Sequence, residues 1–353
     1  MKKLFIYVFI LHALVSVFTY YYFINDPADS ALYWLLNYDV NQYNWFDFFG
    51  VGSQFMVFLN YPLLKLGVSF YSGHIIYSLI GFFGIYLFAK WALEVLEVKS
   101  SSFLILIIIA FILSSPNLHV WTSFIGKEAI VFWSLSALFY TSLSIKKRWA
   151  LSVVATFLLV MIRPHVAFML LSAAIIVFLI DRSLSFKIRG LVFVGAIIVG
   201  YGLFYLMLEI SNIHYLDWDR IQHFNAFSVL SLKESSGYVP MLDYNYAYKI
   251  FSLNFRPLFY DAYHTMTFLA SLENLISLLF VTLSLFLSIK HFKTLVFTRW
   301  IKVSFFFLTV ASVLYVERYS NLGLFMRTKM MYMPFLYVAM TSIIFQTIEI
   351  EKR

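Results

Sequence analysis

The sequence predicts an all-α fold, a polytopic bundle of transmembrane helices, and three observations lead to this prediction. Hydrophobic residues make up 62% of the 353 residues and charged residues only 12%, about half the charged share of a soluble domain. The mean hydropathy is +0.82, which leaves too little polar surface to coat a water-soluble globule. The apolar residues also fall in blocks close to the roughly 20 residues that cross a bilayer as a helix.

Hydropathy divides the chain into about ten spans within a single integral membrane domain that covers residues 1–353. The first apolar run follows Lys2-Lys3, and no small-residue cleavage site comes after it, so we interpret it as an uncleaved first span. The predicted spans are residues 4–23, 74–90, 103–115, 128–145, 149–162, 165–181, 190–210, 267–289, 301–316 and 330–348.

The basic residues orient these spans. With the N-terminus in the cytoplasm, every dense basic cluster, such as Lys146-Lys147-Arg148, falls on the cytoplasmic side. Both termini are then cytoplasmic, and the net charge of +8 reflects these loops, so no nucleic-acid partner is needed. Two longer extracytoplasmic loops, about 24–73 and 211–266, remain. The apolar stretch 54–70 in the first loop contains a proline and a lysine, so we predict a short interfacial or re-entrant helix there.

Single cations beside apolar runs mark the outer segments. Cations are disfavoured on the translocated side unless they are paired or solvated. A phosphate-bearing ligand would compensate them, because guanidinium matches phosphate oxygens in a bidentate fork. The alternative is that they pair with Glu128, Glu273 and Glu317 or extend to lipid headgroups. We expect an anionic ligand for the set as a whole, which comprises Lys127, Arg163, Arg256, Arg318, Arg327 and Lys329.

Two of these cations sit in informative local sequences. Lys127-Glu128 begins a helix, where Glu128 suits the helix dipole and Lys127 opposes it, so Lys127 points to a role beyond local stability. Arg163-Pro164-His165 predicts a tight outer hairpin. His165 can donate to phosphate or act as an acid or base near neutral pH; the alternative is a solvated turn.

Carboxylates near the outer face are the candidate bases. Asp26 and Asp29 lie just beyond the first span and suit a general base or a ligand of a divalent cation; alternatively, Asp29-Ser30 caps a short helix. Glu273 lies inside a predicted span, which makes it a functional candidate or a partner of a nearby arginine. The chain has no cysteine and no nucleotide-binding, zinc-protease or hydrolase motif. A divalent cation is therefore the one cofactor that the sequence leaves open.

Five stretches carry a family resemblance: DPADSALYW, SPNLHVWTSFIGKEA, IRPHVAF, FRPLFYDAYHTMTFLASLEN and NLGLFMRTKMMYMP. They resemble segments of bacterial surface-polysaccharide assembly proteins, the C-type membrane glycosyltransferases and the O-antigen or exopolysaccharide polymerases. The resemblance implies an enzyme of the bacterial inner membrane. It would transfer sugar from a polyprenyl phosphate or diphosphate to a glycan acceptor at the extracytoplasmic face, with other polysaccharide-assembly proteins and membrane lipid as partners.

The resemblance also implies residue roles. Asp29 would be the base, with Glu273 as the second candidate, and Arg163, Arg256 and Arg327 would hold the lipid diphosphate. The first loop departs from the family because it lacks a paired-acid motif, and the chain has no counterpart of the large soluble C-terminal domain of many such transferases. The choice between a single-sugar transferase and a repeat-unit polymerase therefore stays open.

Two other functions compete with the enzyme. A transporter or flippase of lipid-linked glycans would need polar residues through the bundle midplane or broken helices. The predicted midplanes are mostly Leu, Ile, Val, Phe and Ala, which favours the enzyme. A non-catalytic envelope scaffold would instead pair its outer cations internally.

Overall fold

The computed structural model describes residues 2–25, 27–97, 103–210 and 218–351. These residues form helices and no β-strand, which confirms the all-α prediction. The chain divides into two compact units, Met1–Ala167 and Phe168–Arg353. The described residues contain sixteen α-helices, which are α1 Lys2–Phe23, α2 Asp29–Tyr33, α3 Ser53–Lys65, α4 Phe70–Val95, α5 Phe103–Leu113, α6 Pro116–Thr122, α7 Lys127–Ser142, α8 Ile145–Ile162, α9 Pro164–Ile180, α10 Phe186–Ile210, α11 Trp218–Leu230, α12 Tyr246–Phe255, α13 Thr265–Lys290, α14 Arg299–Tyr315, α15 Leu322–Lys329 and α16 Met333–Glu351.

A helix occupies each of the ten predicted spans. Five helices are long and apolar enough to cross a membrane, namely α1, α4, α10, α13 and α16. A sixth span results if α5 and α6, which are bent by 46° at their junction, cross together. The chain is therefore a helical membrane protein with up to six candidate spans in its described part. The full set of ten, the compartment and the sidedness stay predictions.

Short helices fill the two long segments that were assigned to the outer face. The first segment contains α2 and α3, and α3 matches the predicted interfacial helix to within five residues at its C-terminal end. The described part of the second segment contains α11 and α12. None of α3, α11 and α12 is a candidate membrane span, which agrees with the prediction that these segments do not cross the bilayer. Their depth in the bilayer stays a prediction.

The N-terminal unit is built around α4, which packs against α1, α6 and α7. Two glycines allow these close approaches. A Cβ on Gly81 would lie 1.9 Å from the carbonyl oxygen of Thr122 in α6, and one on Gly84 would lie 2.9 Å from Cα of Trp133 in α7. Small residues let helix backbones approach in this way inside membranes. The packing therefore fixes α6 and the start of α7 against α4.

The C-terminal unit packs α13 and α14 against α16, and α12 against α13, α14 and α15. The loop before α15 is joined to the loop after α11 by two backbone hydrogen bonds. Val239 N donates to Ser320 O at 2.7 Å, and Leu322 N donates to Gly237 O at 2.8 Å. These bonds hold the N-terminus of α15 in place, and α15 carries two of the predicted cations.

Candidate functional site

The N-termini of α3 and α7 meet in the N-terminal unit. Lys127, the first residue of α7, donates from Nζ to Ser53 Oγ at 3.0 Å, and Ser53 is the first residue of α3. The same ammonium lies 5.7 Å from the centre of the Tyr33 ring in α2. We call Tyr33, Ser53, Lys127, Glu128 and Arg163 the Lys127 cluster. Local sequence predicted the start of α7 but not the distant partner Ser53.

A buried ion pair completes the Lys127 cluster. Glu128 is fully buried and accepts a hydrogen bond from Arg163, which is 7% exposed. The Arg163 Nε atom is also buried and has no hydrogen-bond partner among the residues that the structure describes. The sequence analysis gave pairing with Glu128 as the alternative to an anionic ligand for Arg163. The ion pair leaves the Nε–H of Arg163 available for a further acceptor.

The C-terminal end of α8, which precedes Arg163, is hydrogen-bonded to the residue before α3. Gly52, which precedes α3, donates from its backbone N to Met161 O at 2.8 Å. Its φ of +75° is in the left-handed region, which glycine adopts without steric cost. Arg163 follows α8 as a single non-helical residue before Pro164 begins α9, as the predicted tight connection requires. His165 lies half-buried in the first turn of α9.

Asp29 lies on the short helix α2, which also carries Tyr33 of the Lys127 cluster. Ser30 Oγ donates to Ile125 O at 2.6 Å, two residues before Lys127. At the other end of α2, Asn60 Nδ2 donates to Tyr33 O at 2.9 Å. Asp29 is exposed and is the first helical residue rather than the cap, which is Ala28. The helix is thus held at both ends, with Asp29 on its exposed side. Asp26 lies outside the described residues.

Arg256 in the C-terminal unit has a partner that the sequence analysis missed. Its Nε donates to Asp261 Oδ2 at 3.0 Å, its Nη2 donates to Asp261 Oδ1 at 2.5 Å, and its Nη1 donates to the Tyr244 hydroxyl at 3.2 Å. Burial acts to raise the pKa of Asp261, but hydrogen bonds from Arg256 and from Leu258 N outweigh it and lower that pKa. The acid five residues after Arg256 was the available signal. The guanidinium of Arg256 therefore donates its hydrogen bonds to side chains of the protein itself.

Lys329 is the most deeply buried cation of this unit, with 3% of its surface exposed. Its Nζ donates to Asn274 Oδ1 at 2.6 Å and to Arg256 O at 2.8 Å. Burial lowers the pKa of Lys329 to about 7, against the opposing effect of the Glu273 carboxylate. Glu273 is half-buried one residue before Asn274, and its charge acts on Lys329. Its pairing with an arginine stays a prediction.

Arg318 and Arg327 differ in their exposure. Arg318 is exposed and lies over the Phe224 ring, 4.7 Å from its centre. Arg327 is half-buried in the last turn of α15, where a cation complements the helix dipole. Lys249 donates two hydrogen bonds of 3.1 Å to Glu317. No group of three or more His, Asp or Glu side chains that could hold a metal ion occurs in the described part of the chain.

Comparison with known proteins does not assign the chain to a family. No protein-family model matches the chain, and no curated protein or solved structure is significantly similar to it. The functional argument therefore depends on the residues themselves. Among the predicted site residues, Glu128 and Arg163 form an ion pair, Lys127 precedes Glu128 at the start of α7, and Asp29 lies on the adjoining helix α2.

Proposed function

We propose that the chain is a membrane glycosyltransferase or repeat-unit polymerase of bacterial surface-polysaccharide assembly. Its donor would be a sugar linked to polyprenyl phosphate or diphosphate, bound at the extracytoplasmic face of the inner membrane. The observation that supports this proposal is the Lys127 cluster, which combines two helix N-termini, an ammonium and a guanidinium next to the exposed carboxylate of Asp29.

The electrostatics of the Lys127 cluster suit a phosphate. Each helix N-terminus carries about half a positive charge from its aligned peptide dipoles, and such ends bind phosphate through free N–H groups. Lys127 and Arg163 add two positive charges and Glu128 removes one. The cluster therefore keeps a net positive potential after its internal ion pair is formed, and a lipid phosphate would complement it.

The same arrangement can perform glycosyl transfer. Asp29 accepts the proton of an acceptor hydroxyl, and the hydroxyl oxygen forms a bond to the anomeric carbon of the donor sugar. The bond from that carbon to the phosphate oxygen breaks, and the polyprenyl phosphate or diphosphate leaves with the electron pair. Lys127 and Arg163 stabilise the charge that develops on the leaving group.

A transporter of lipid-linked glycans is the second candidate, and a specific observation favours it. Helix α1 buries three polar side chains, those of His12, Ser16 and Thr19, although its midplane is mostly apolar. If the bent pair α5 and α6 crosses the membrane as one span, it is a broken span of the kind that lines transport sites. A transporter would bind the same phosphate at the Lys127 cluster but would not need the Asp29 carboxylate.

Gene deletion in the natural host separates these functions. We expect lipid-linked glycans to accumulate as single repeat units for a polymerase, or without one sugar for a transferase. Wild-type protein and Asp243→Asn, which alters an exposed acid of the other unit, should restore the glycans, and Asp29→Asn at equal protein level should not. Restoration by Asp29→Asn would favour the transporter, and unchanged glycans in the deletion strain would contradict both functions.

A further inference from the structure

A pair of buried histidines joins α1 to α6 in the N-terminal unit. His12 is 2% exposed and His119 is fully buried. Their Nδ1 atoms are 2.9 Å apart, which is hydrogen-bonding distance. His12 is near the middle of the candidate span α1, where an ionisable side chain is expensive and usually functional. No local pattern in the sequence links His119 to a residue 107 positions away.

The remaining ring nitrogens determine where the hydrogens are. His12 Nε2 lies 2.9 Å from the backbone oxygen of Ser78, and His119 Nε2 lies 2.7 Å from that of Leu113. A carbonyl oxygen can only accept, so both Nε2 atoms must carry hydrogen. Two neutral rings of this tautomer would point two bare Nδ1 lone pairs at each other. The contact becomes a hydrogen bond only when one Nδ1 atom is also protonated.

We propose that His12 and His119 form a proton-binding site in which one proton is shared between their Nδ1 atoms and the pair carries one positive charge. Three hydrogens then occupy the four ring nitrogens, and each nitrogen donates or accepts one hydrogen bond. The site is distinct from the Lys127 cluster and does not depend on the proposed function.

One end of the pair lies at the negative end of a helix dipole. Leu113 is the last residue of α5, so its carbonyl belongs to the negative end of that helix dipole, and His119 supplies its hydrogen-bond donor. The Phe82 ring of α4 lies 6.3 Å from the His12 ring, centre to centre. The other titratable group that acts on His12 is His74 of α4, whose Nε2 is bound to the backbone oxygen of Ser16 at 2.9 Å.

A metal ion does not fit between the two rings as they stand. A tetrahedral ion such as zinc, about 2 Å from each ligand nitrogen, would hold the two nitrogens about 3.3 Å apart, which is wider than the 2.9 Å observed. Within the described residues, no third His, Asp or Glu completes a metal-binding group with this pair. The proton is therefore the ligand that the geometry admits.

The site can be tested by magnetic resonance on the full chain in lipid nanodiscs near neutral pH, with isotope-labelled histidine. We expect one imidazolium signal and a nitrogen–nitrogen coupling across the hydrogen bond between the two Nδ1 atoms. His12→Gln and His119→Gln should each abolish the coupling, and His223→Gln, which alters an exposed histidine, should retain it. Wild-type spectra with two neutral rings and no coupling would overturn the proposal, as would a signal that a chelator removes. The coupling is read on the wild type, so the test does not depend on the variants folding.

Discussion

Replacement of Glu128 by Gln is expected to lower the free energy of unfolding by about 3–5 kcal/mol. The change preserves the size of the side chain but removes the charge that compensates Arg163, whose guanidinium is buried. An uncompensated buried charge is costly because the protein interior solvates it poorly. Denaturant unfolding in detergent measures the loss, relative to wild type.

A matched control is the exposed ion pair of the same unit. Glu94 is 47% exposed and lies 3.4 Å from Arg148, so Glu94→Gln should change the stability by less than about 1 kcal/mol. The double variant Glu128→Gln with Arg163→Met should recover most of the loss, since it leaves no buried charge. A single Glu128→Gln variant as stable as Glu94→Gln would show that the buried pair does not support the fold.

Raising the pH from about 7 to about 9 is expected to stabilise the wild type by roughly 2 kcal/mol relative to Lys329→Met. Burial lowers the pKa of Lys329 to about 7 in the folded chain, from 10.5 as the ordinary value. Between these values the unfolded chain binds a proton that the folded chain does not. Stability therefore rises with pH through this window, and the rise is lost when the amine is removed.

The measurement is thermal or denaturant unfolding of both proteins across this pH range, with the difference taken at each pH so that other groups cancel. Lys249→Met is the control, because Lys249 is a part-buried lysine that pairs with Glu317. This variant retains Lys329, so its stability should still rise between about pH 7 and about pH 9. Parallel curves for wild type and Lys329→Met would mean that Lys329 keeps its proton when buried.

Helix positions could be predicted from the sequence because runs of apolar residues determine them locally. The ten predicted spans coincide with helices for this reason. The bend between α5 and α6 was harder to predict from the sequence. The span predicted at 103–115 stops just before Pro116, and Pro116 begins the separate helix α6, since proline lacks only an N–H that is unpaired at a helix start.

The candidate site was predictable only in part. Lys127 was identified because a cation opposes the dipole at a helix start, yet its contact with Ser53 spans 74 positions. Such contacts depend on helix packing, which no local pattern encodes. The histidine pair of α1 and α6 could not be predicted for the same reason. Asp261, by contrast, lies only five residues from Arg256, so their pairing could have been predicted from the local sequence.

Binding of polyprenyl phosphate to the purified chain tests the central claim, an anion site at the meeting of α3 and α7, most directly. Native mass spectrometry should show saturable binding of polyprenyl phosphate and at least tenfold weaker binding of the uncharged polyprenol. Lys127→Met should weaken phosphate binding by at least about tenfold, since a charged hydrogen bond contributes roughly 1.5–3 kcal/mol, whereas Lys249→Met should leave it unchanged. Equal binding of phosphate and alcohol, or full affinity in Lys127→Met, would contradict the account.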